Sequence, residues 1–149
     1  MLRMSRLTDY GIVLLAQLAA SPEAVPHNAR ELATATHLPL PVVSKVLKGL
    51  ARQGLLASHR GAKGGYSLAR RPDEISVAEV IAAVEGPIAL TECSVGPGHC
   101  TQEPLCQVRE PWYRINQVIQ RALDQFPLSE LLAPAADRTP ADGPLGRGL

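Results

Sequence analysis

Apolar positions in this chain fall mostly at helical spacing, interrupted once by two short extended runs around a glycine-rich stretch. Ile12, Leu15, Ala16 and Ala19 form the first helical stripe. Thr8 is placed to cap that helix, Asp9 suits its first turn, and Ser21-Pro22 ends it. Asn28 with Glu31 three residues on is a capping box that opens a short helix through Ala35. His37-Leu-Pro-Leu-Pro41 reads as a turn, and Pro41 fits the first turn of a third helix running to about Gln53 and stopping at Gly54. Residues 55–59 and 66–68 are strand candidates flanking Arg60-Gly-Ala-Lys-Gly-Gly65, which together predict a β-hairpin.

Ser76 and Glu79 form a second capping box, predicting a helix Val77–Glu85 that ends at Gly86-Pro87. Residues 87–106 lack periodicity and are expected to be a loop. A long helix should begin near residues 108–111 and run to about Gln125. Its apolar positions Val108, Trp112, Ile115, Ile119, Ala122 and Phe126 are spaced by four and three in alternation, a 3.5-residue seam that calls for another helix. The simplest partner is its own copy, which makes Trp112, Ile115, Ile119, Ala122 and Phe126 candidate dimer-interface residues; packing within the chain is the alternative. Ser129 is placed to cap a last short helix over 130–133, and the Ala/Pro/Gly/Asp-rich residues 134–149 predict a disordered tail.

Two helices joined by a tight turn and followed by a basic hairpin are the order of a winged helix-turn-helix. The expected fold is therefore mainly α with a small β-hairpin. It would comprise a DNA-binding unit over 1–72, and a cysteine loop with a dimerisation helix over 73–133 in the same compact unit. Charge supports this order. The net charge is only +1, but residues 1–72 carry ten Lys/Arg against three Asp/Glu, a net of +7. Residues 73–149 carry five against eleven, a net of −6. A basic N-terminal half suits a phosphate backbone. Ser44, Lys45, Lys48 and Arg52 on the second helix of the pair are candidates for groove and phosphate contacts. Arg60 and Lys63 are candidates in the wing, where Gly61, Gly64 and Gly65 would let backbone approach DNA closely or simply serve the turn.

At 149 residues with 46% hydrophobic content, one globular domain is expected, and no apolar run is long enough to span a bilayer. The start of the chain lacks the apolar core of a signal peptide, so a bacterial cytoplasmic location is expected. No phosphate-binding P-loop and no Ser/His/Asp or paired-carboxylate constellation is present, which argues against an enzyme. His27 and His37 read as surface residues.

The chemistry concentrates in Cys93, Cys100 and Cys106, all the cysteines of the chain, within fourteen residues that also hold Gly96, Pro97, Gly98 and Pro104. An odd number excludes a complete disulfide set, and a reducing compartment disfavours one. Structural zinc favours paired C-x2-C knuckles, which are missing. A soft metal or iron–sulfur centre is the first reading; thiol redox sensing is the second.

Several motifs together resemble a known family. These are Leu7-Thr-Asp-Tyr-Gly11 at the first helix, Leu50-Ala-Arg-Gln-Gly-Leu55 at the end of the recognition helix, Arg60-Gly-x-x-Gly-Gly-Tyr66 in the wing, and the three-cysteine loop. Over residues 2–133 the chain resembles the Rrf-two family, the IscR/NsrR group of bacterial winged-helix regulators, and within it regulators of iron–sulfur cluster assembly. The resemblance implies a homodimeric repressor on palindromic double-stranded DNA. It also implies a cluster held by Cys93, Cys100, Cys106 and one non-cysteine ligand, with [2Fe–2S] expected over [4Fe–4S]. The IscR type takes a His three residues after the last cysteine; here Arg109 stands there. The NsrR type takes an Asp from the start of the first helix of the partner subunit, the position of Asp9. Asp9 is thus the implied fourth ligand, with His99 and Glu103 as local alternatives. Ser44 stands where IscR has a Glu, so IscR's discrimination between DNA sites does not carry over. A regulator sensing nitric oxide or oxidants, through the cluster or through thiols, is the alternative function. An iron–sulfur scaffold or electron carrier would leave the basic N-terminal half unexplained.

Overall fold

The computed structural model describes residues 3–21 and 25–133. The first helix ends at Ala19, just before the predicted stop at Ser21-Pro22; Pro22 itself and the predicted disordered tail lie outside the described residues. Among the described residues seven α-helices and one hairpin follow in order: α1 (Arg6–Ala19), α2 (Ala29–Thr36), α3 (Leu40–Arg52), β1 (Leu56–His59), β2 (Gly65–Leu68), α4 (Val77–Glu85), α5 (Glu92–Val95), α6 (Arg109–Asp124) and α7 (Leu128–Leu132). The chain is mainly helical with a two-stranded antiparallel sheet, as the sequence pattern predicts.

Both capping boxes are formed. The Asn28 side chain accepts from the Glu31 N–H at 2.9 Å, and Glu31 accepts from the Asn28 N–H at 3.1 Å. Ser76 and Glu79 repeat the exchange at 3.2 and 2.9 Å. Burial alone would raise the Glu79 carboxyl, but the Arg70 guanidinium at 2.6 Å and the Ser76 contacts hold it below its ordinary value of 4.5.

Helix α1 differs from its prediction in two ways. It starts at Arg6, with Ser5 at the N-cap, so Thr8 is not the cap but lies inside the first turn, only 1% exposed. Its buried stripe is Gly11, Leu14, Leu15 and Leu18, rotated from the expected one. Apolar residues all round this helix leave its phase open until tertiary packing chooses a face. The core gathers Leu14, Leu15 and Leu18 of α1, Leu32 of α2, and Val43, Val46, Leu47 and Leu50 of α3. Leu55 and Leu56 from the hairpin and Val80 of α4 join them, with Ile75 and Leu128 beyond. Each fully buried aliphatic side chain contributes about 1.5–3 kcal/mol.

The C-terminal segment returns to this core. Leu128 N–H donates to the Ile75 carbonyl at 2.7 Å, and Val77 N–H to the Phe126 carbonyl at 2.9 Å. Helix α7 begins at Leu128, behind Pro127 rather than a Ser129 cap. The segment 87–106, expected to be a plain loop, contains the single turn α5 and a 3-10 turn at Glu103–Leu105.

The hairpin pairs Leu56 with Leu68 and His59 with Gly65. A strap before α2 adds to its outer edge: His27 and Tyr66 exchange both backbone hydrogen bonds, at 2.9 and 2.8 Å. His27 is therefore half-buried rather than on the surface as expected, and its Nε2 is buried without a hydrogen-bond partner among the described residues. His37 is exposed and ends α2 in a left-handed conformation at φ 56°. The strap gives Gly65 a packing reason. Its φ is 150°, and a Cβ there would overlap the His27 carbonyl. Gly65→Ala should therefore destabilise the protein by about 1–3 kcal/mol through this collision. Gly61→Ala, at φ 103° with nothing within 4 Å of the added Cβ, should cost only the backbone term, on the order of 1 kcal/mol. Urea unfolding midpoints measure both; equal losses would mean that the strap does not constrain β2.

Candidate functional site

Two chemically distinct regions stand out, a cationic face and the cysteine segment. Helix α3 presents Lys45, Lys48 and Arg52 to solvent, with Ser44 half-buried on the flank. Arg60 and Lys63 are exposed on the hairpin. None of these five cations forms an ion pair among the described residues, whereas Arg70 and Arg71 are held by Glu79 and Asp73 at 2.6 and 2.9 Å. The N-terminal positive charge is thus divided into cations that brace the fold and cations left for an external anion.

The amphipathic α3 owes this exposure to its sequence. Val43, Val46, Leu47 and Leu50 point inward, which turns Lys45, Lys48 and Arg52 outward. Gly64 is as constrained as Gly65, since a Cβ there would collide with the His59 carbonyl oxygen. For Gly64 and Gly65, internal packing alone therefore requires a residue without a Cβ.

The cysteine segment starts from Asn116, a residue the sequence reading passed over. Asn116 is the buried residue of α6, at 4% exposure. Its amide oxygen accepts from Leu90 N–H at 3.0 Å and its amide nitrogen donates to the Ile88 carbonyl at 3.1 Å. One of three side-chain amides on a seam-patterned helix, it signals little by itself, because its partners lie 26 and 28 residues away. It clamps the backbone that leads into Cys93. The remainder of the α6 seam stays open: Trp112 is 40% and Ile115 45% exposed, Ala122 and Phe126 are exposed, and Ile119 is half-buried.

Cys93 lies in α5, where its sulfur is 3.1 Å from the Thr91 hydroxyl. All three cysteines are free and half-buried. Cys93 and Cys106 line one open cleft of about 730 Å³, together with Glu103, Arg109, Glu110 and Tyr113; Cys100 is not among its lining residues. Glu103 is engaged on both oxygens, accepting from Gly98 N–H at 2.7 Å and pairing with Arg109 at 2.6 Å. Its carboxylate is thus committed to closing the loop. Exposed His99 lies over Gly96. Asp9 is exposed in the first turn of α1 and does not line the cleft.

Three thiols in one segment are a donor set that suits a soft metal centre. Their geometry here is not assembled: among the described residues, no three His, Cys, Asp or Glu side chains converge as a metal-binding group. Holding a cluster would require the segment to close around it.

A recognition helix with unpaired cations, a basic hairpin beside it and an appended thiol segment define a winged-helix DNA-binding regulator. Comparison with known proteins fixes the family. Residues 4–134 match the Rrf2 family, described as an iron-dependent transcriptional regulator. The chain belongs to the Rrf2 family of transcriptional regulators, whose members are DNA-binding proteins and not enzymes. It is 30% identical over 132 residues to the HTH-type transcriptional regulator NsrR of Geobacillus kaustophilus, covering 88% of this chain and 90% of that protein. Among solved structures it is similar to CymR, described as the global cysteine regulator of B. subtilis, with a TM-score of 0.65 and 30% identity. That match covers 89% of this chain and 97% of CymR. It is also similar to T. potens IscR, with a TM-score of 0.64 and 26% identity over 93% of each chain. No helix among the described residues is long and apolar enough to cross a membrane.

Proposed function

We propose that this regulator is a homodimeric, cytoplasmic repressor that reads iron–sulfur status and controls genes of iron–sulfur cluster assembly. The observation that carries the proposal is the placement of three free thiols on one segment, clamped by Asn116 to α6. Cys93, Cys100 and Cys106 would hold the cluster, [2Fe–2S] in preference to [4Fe–4S], with Asp9 from a second copy of the chain as fourth ligand and His99 as the alternative. When bound, such a cluster supplies a group that oxidants, nitric oxide or iron shortage can remove.

The chain's own residues do the rest. Ser44, Lys45 and Lys48 enter the major groove, Arg52 contacts phosphate, and Arg60 and Lys63 reach the adjacent backbone or minor groove. Trp112, Ile115, Ile119, Ala122 and Phe126 form the two-fold interface. The seam supports this: among the described residues Trp112, Ile115, Ala122 and Phe126 are exposed and Ile119 is half-buried, at 3.5-residue spacing. A dimer then sets the spacing between two wings on a palindromic operator.

A second reading is that the thiols themselves sense oxidants or nitric oxide. It is favoured by the unconverged ligands and by the likeness to CymR, the cysteine regulator.

Anaerobic purification with iron and sulfide counting separates the two. Each of Cys93→Ala, Cys100→Ala and Cys106→Ala should lose iron, sulfide and visible absorbance while remaining folded; full iron in any one removes that residue from the site. Parent protein that binds no iron, yet changes DNA affinity on oxidation, would establish the thiol reading instead. Arg60→Ala should weaken operator binding by about 1–3 kcal/mol if it reads a base edge. Lys63→Ala should weaken binding to all sequences alike and flatten the salt dependence, as titrations at several salt concentrations will show. Ile119→Asp places an unpaired charge in the seam and should give monomers in sedimentation, with operator affinity lost. A dimer that survives would place the interface elsewhere.

A further inference from the structure

Helix α1 begins without a cap of its own: Ser5 occupies the N-cap position, but its side chain makes no capping bond. Orphan amides and the positive end of the helix dipole meet there. A carboxylate from eighty residues further along the chain fills the gap. Glu85 Oε1 accepts from Ser5 N–H at 2.8 Å and from the buried Thr8 hydroxyl. The Thr8 hydroxyl, with support from Ser5 N–H, holds the Glu85 carboxyl below its ordinary value of 4.5 against the opposing pull of burial. Losing this partner would leave the Thr8 hydroxyl buried and unpaired.

The position of Glu85 gives the contact its meaning. It is the last residue of α4, followed by Gly86 at φ 93°. Beyond lie Ile88 and Leu90, clamped by Asn116, and then Cys93. At its other end the contact holds the turn of α1 that carries Asp9. The same end of α4 bears on both DNA-side helices. A Cβ on Gly11 of α1 would lie 3.3 Å from the Val84 side chain, and one on Gly49 of α3 would lie 3.4 Å from the Ala83 carbonyl. Such close crossings transmit displacement because packed elements shift as units.

We propose that Glu85 is a positioning residue that couples the state of the cysteine segment to α1 and, through the last turn of α4, to the recognition helix α3. The proposal rests on the regulatory reading above. A change in segment 87–106 that pulls on Gly86 moves Glu85, and α1 follows, since the alternative is an uncapped helix and a buried unpaired hydroxyl. Coupling is the ratio of DNA affinities in the two states of the segment, so it can be lost while binding remains.

The test uses the full chain and one duplex selected in vitro by the parent protein. DNA affinity is measured before and after anaerobic reconstitution with iron and sulfide, for the parent, Glu85→Gln, Glu85→Ala and Thr8→Val. Coupled sites typically differ by about 5- to 150-fold. Glu85→Ala should bring the parent's ratio close to one, Thr8→Val should reduce it, and Glu85→Gln, which keeps an acceptor for both donors, should retain most of it. A merely structural role would lower both affinities in parallel and leave the ratio intact. A parent that responds to reconstitution beside a Glu85→Ala that responds equally overturns the proposal and leaves the regulatory reading standing. A parent ratio of one overturns both. Should Glu85→Ala fail to fold, Thr8→Val decides, and a ratio equal to the parent's sinks the coupling.

Discussion

The burial of α4 against α1 and α3 is the constraint on which the rest of the structure depends. Val80 is fully buried, and Ile75 and Leu128 on either side of the α4–α7 return share the same core as Leu14, Leu47 and Leu50. Because α4 belongs to the DNA-side core, the cysteine segment that leaves its C-terminus is rooted in that core and not hung from a linker. The small residues at Gly11 and Gly49 bring the three helices close enough for this, at the expense of helix propensity within α1 and α3. A looser crossing would bury less apolar surface and would leave the segment mechanically independent of α3.

What was legible in the sequence was local. The two capping boxes, the Gly54 stop, the hairpin and the alternating seam of α6 all follow from residues within a few positions of one another. What was not legible was set by partners far along the chain. Thr8 looks like an N-cap in sequence, but it lies inside α1 and its hydroxyl donates to the distant Glu85 carboxylate. His27 looks like a surface histidine until the strap pairs it with Tyr66. Asn116 is one polar residue in a long amphipathic helix, and nothing nearby announces that it holds residues 88–90. The cysteines were visible as a donor set, but their spacing could not say whether three thiols converge, because that depends on how the glycine- and proline-rich backbone closes between them.

The charges show the same division between local pattern and tertiary use. Counting Lys and Arg marked the N-terminal half as basic but could not sort its members. Arg70 and Arg71 brace the junction between the hairpin and α4, so they contribute little free field. Lys45, Lys48, Arg52, Arg60 and Lys63 keep theirs, and they sit on the two elements that a winged helix presents to a duplex. The useful quantity for DNA association is the unpaired charge on α3 and the wing, which the net +7 of the half overstates.

Arg109 carries this reasoning into the cysteine segment. A guanidinium stands three residues after Cys106, and its charge is matched by Glu103 at 2.6 Å, with Gly98 N–H completing the carboxylate's shell. The pair closes the stretch between Cys100 and Cys106 onto the start of α6. It also commits one carboxylate of the cleft, since releasing Glu103 would leave Arg109 without its partner. Of the two local alternatives, Glu103 is thus engaged and His99 is exposed. Outside the segment, Asp9 sits one residue beyond the Thr8–Glu85 contact, in the first turn of α1. The choice between His99 and Asp9 is accordingly a choice between a sensor confined to its loop and one whose fourth donor is held by the DNA-binding half. On the coupling proposed above, the Glu85 contact with Ser5 and Thr8 would serve the second arrangement and not the first.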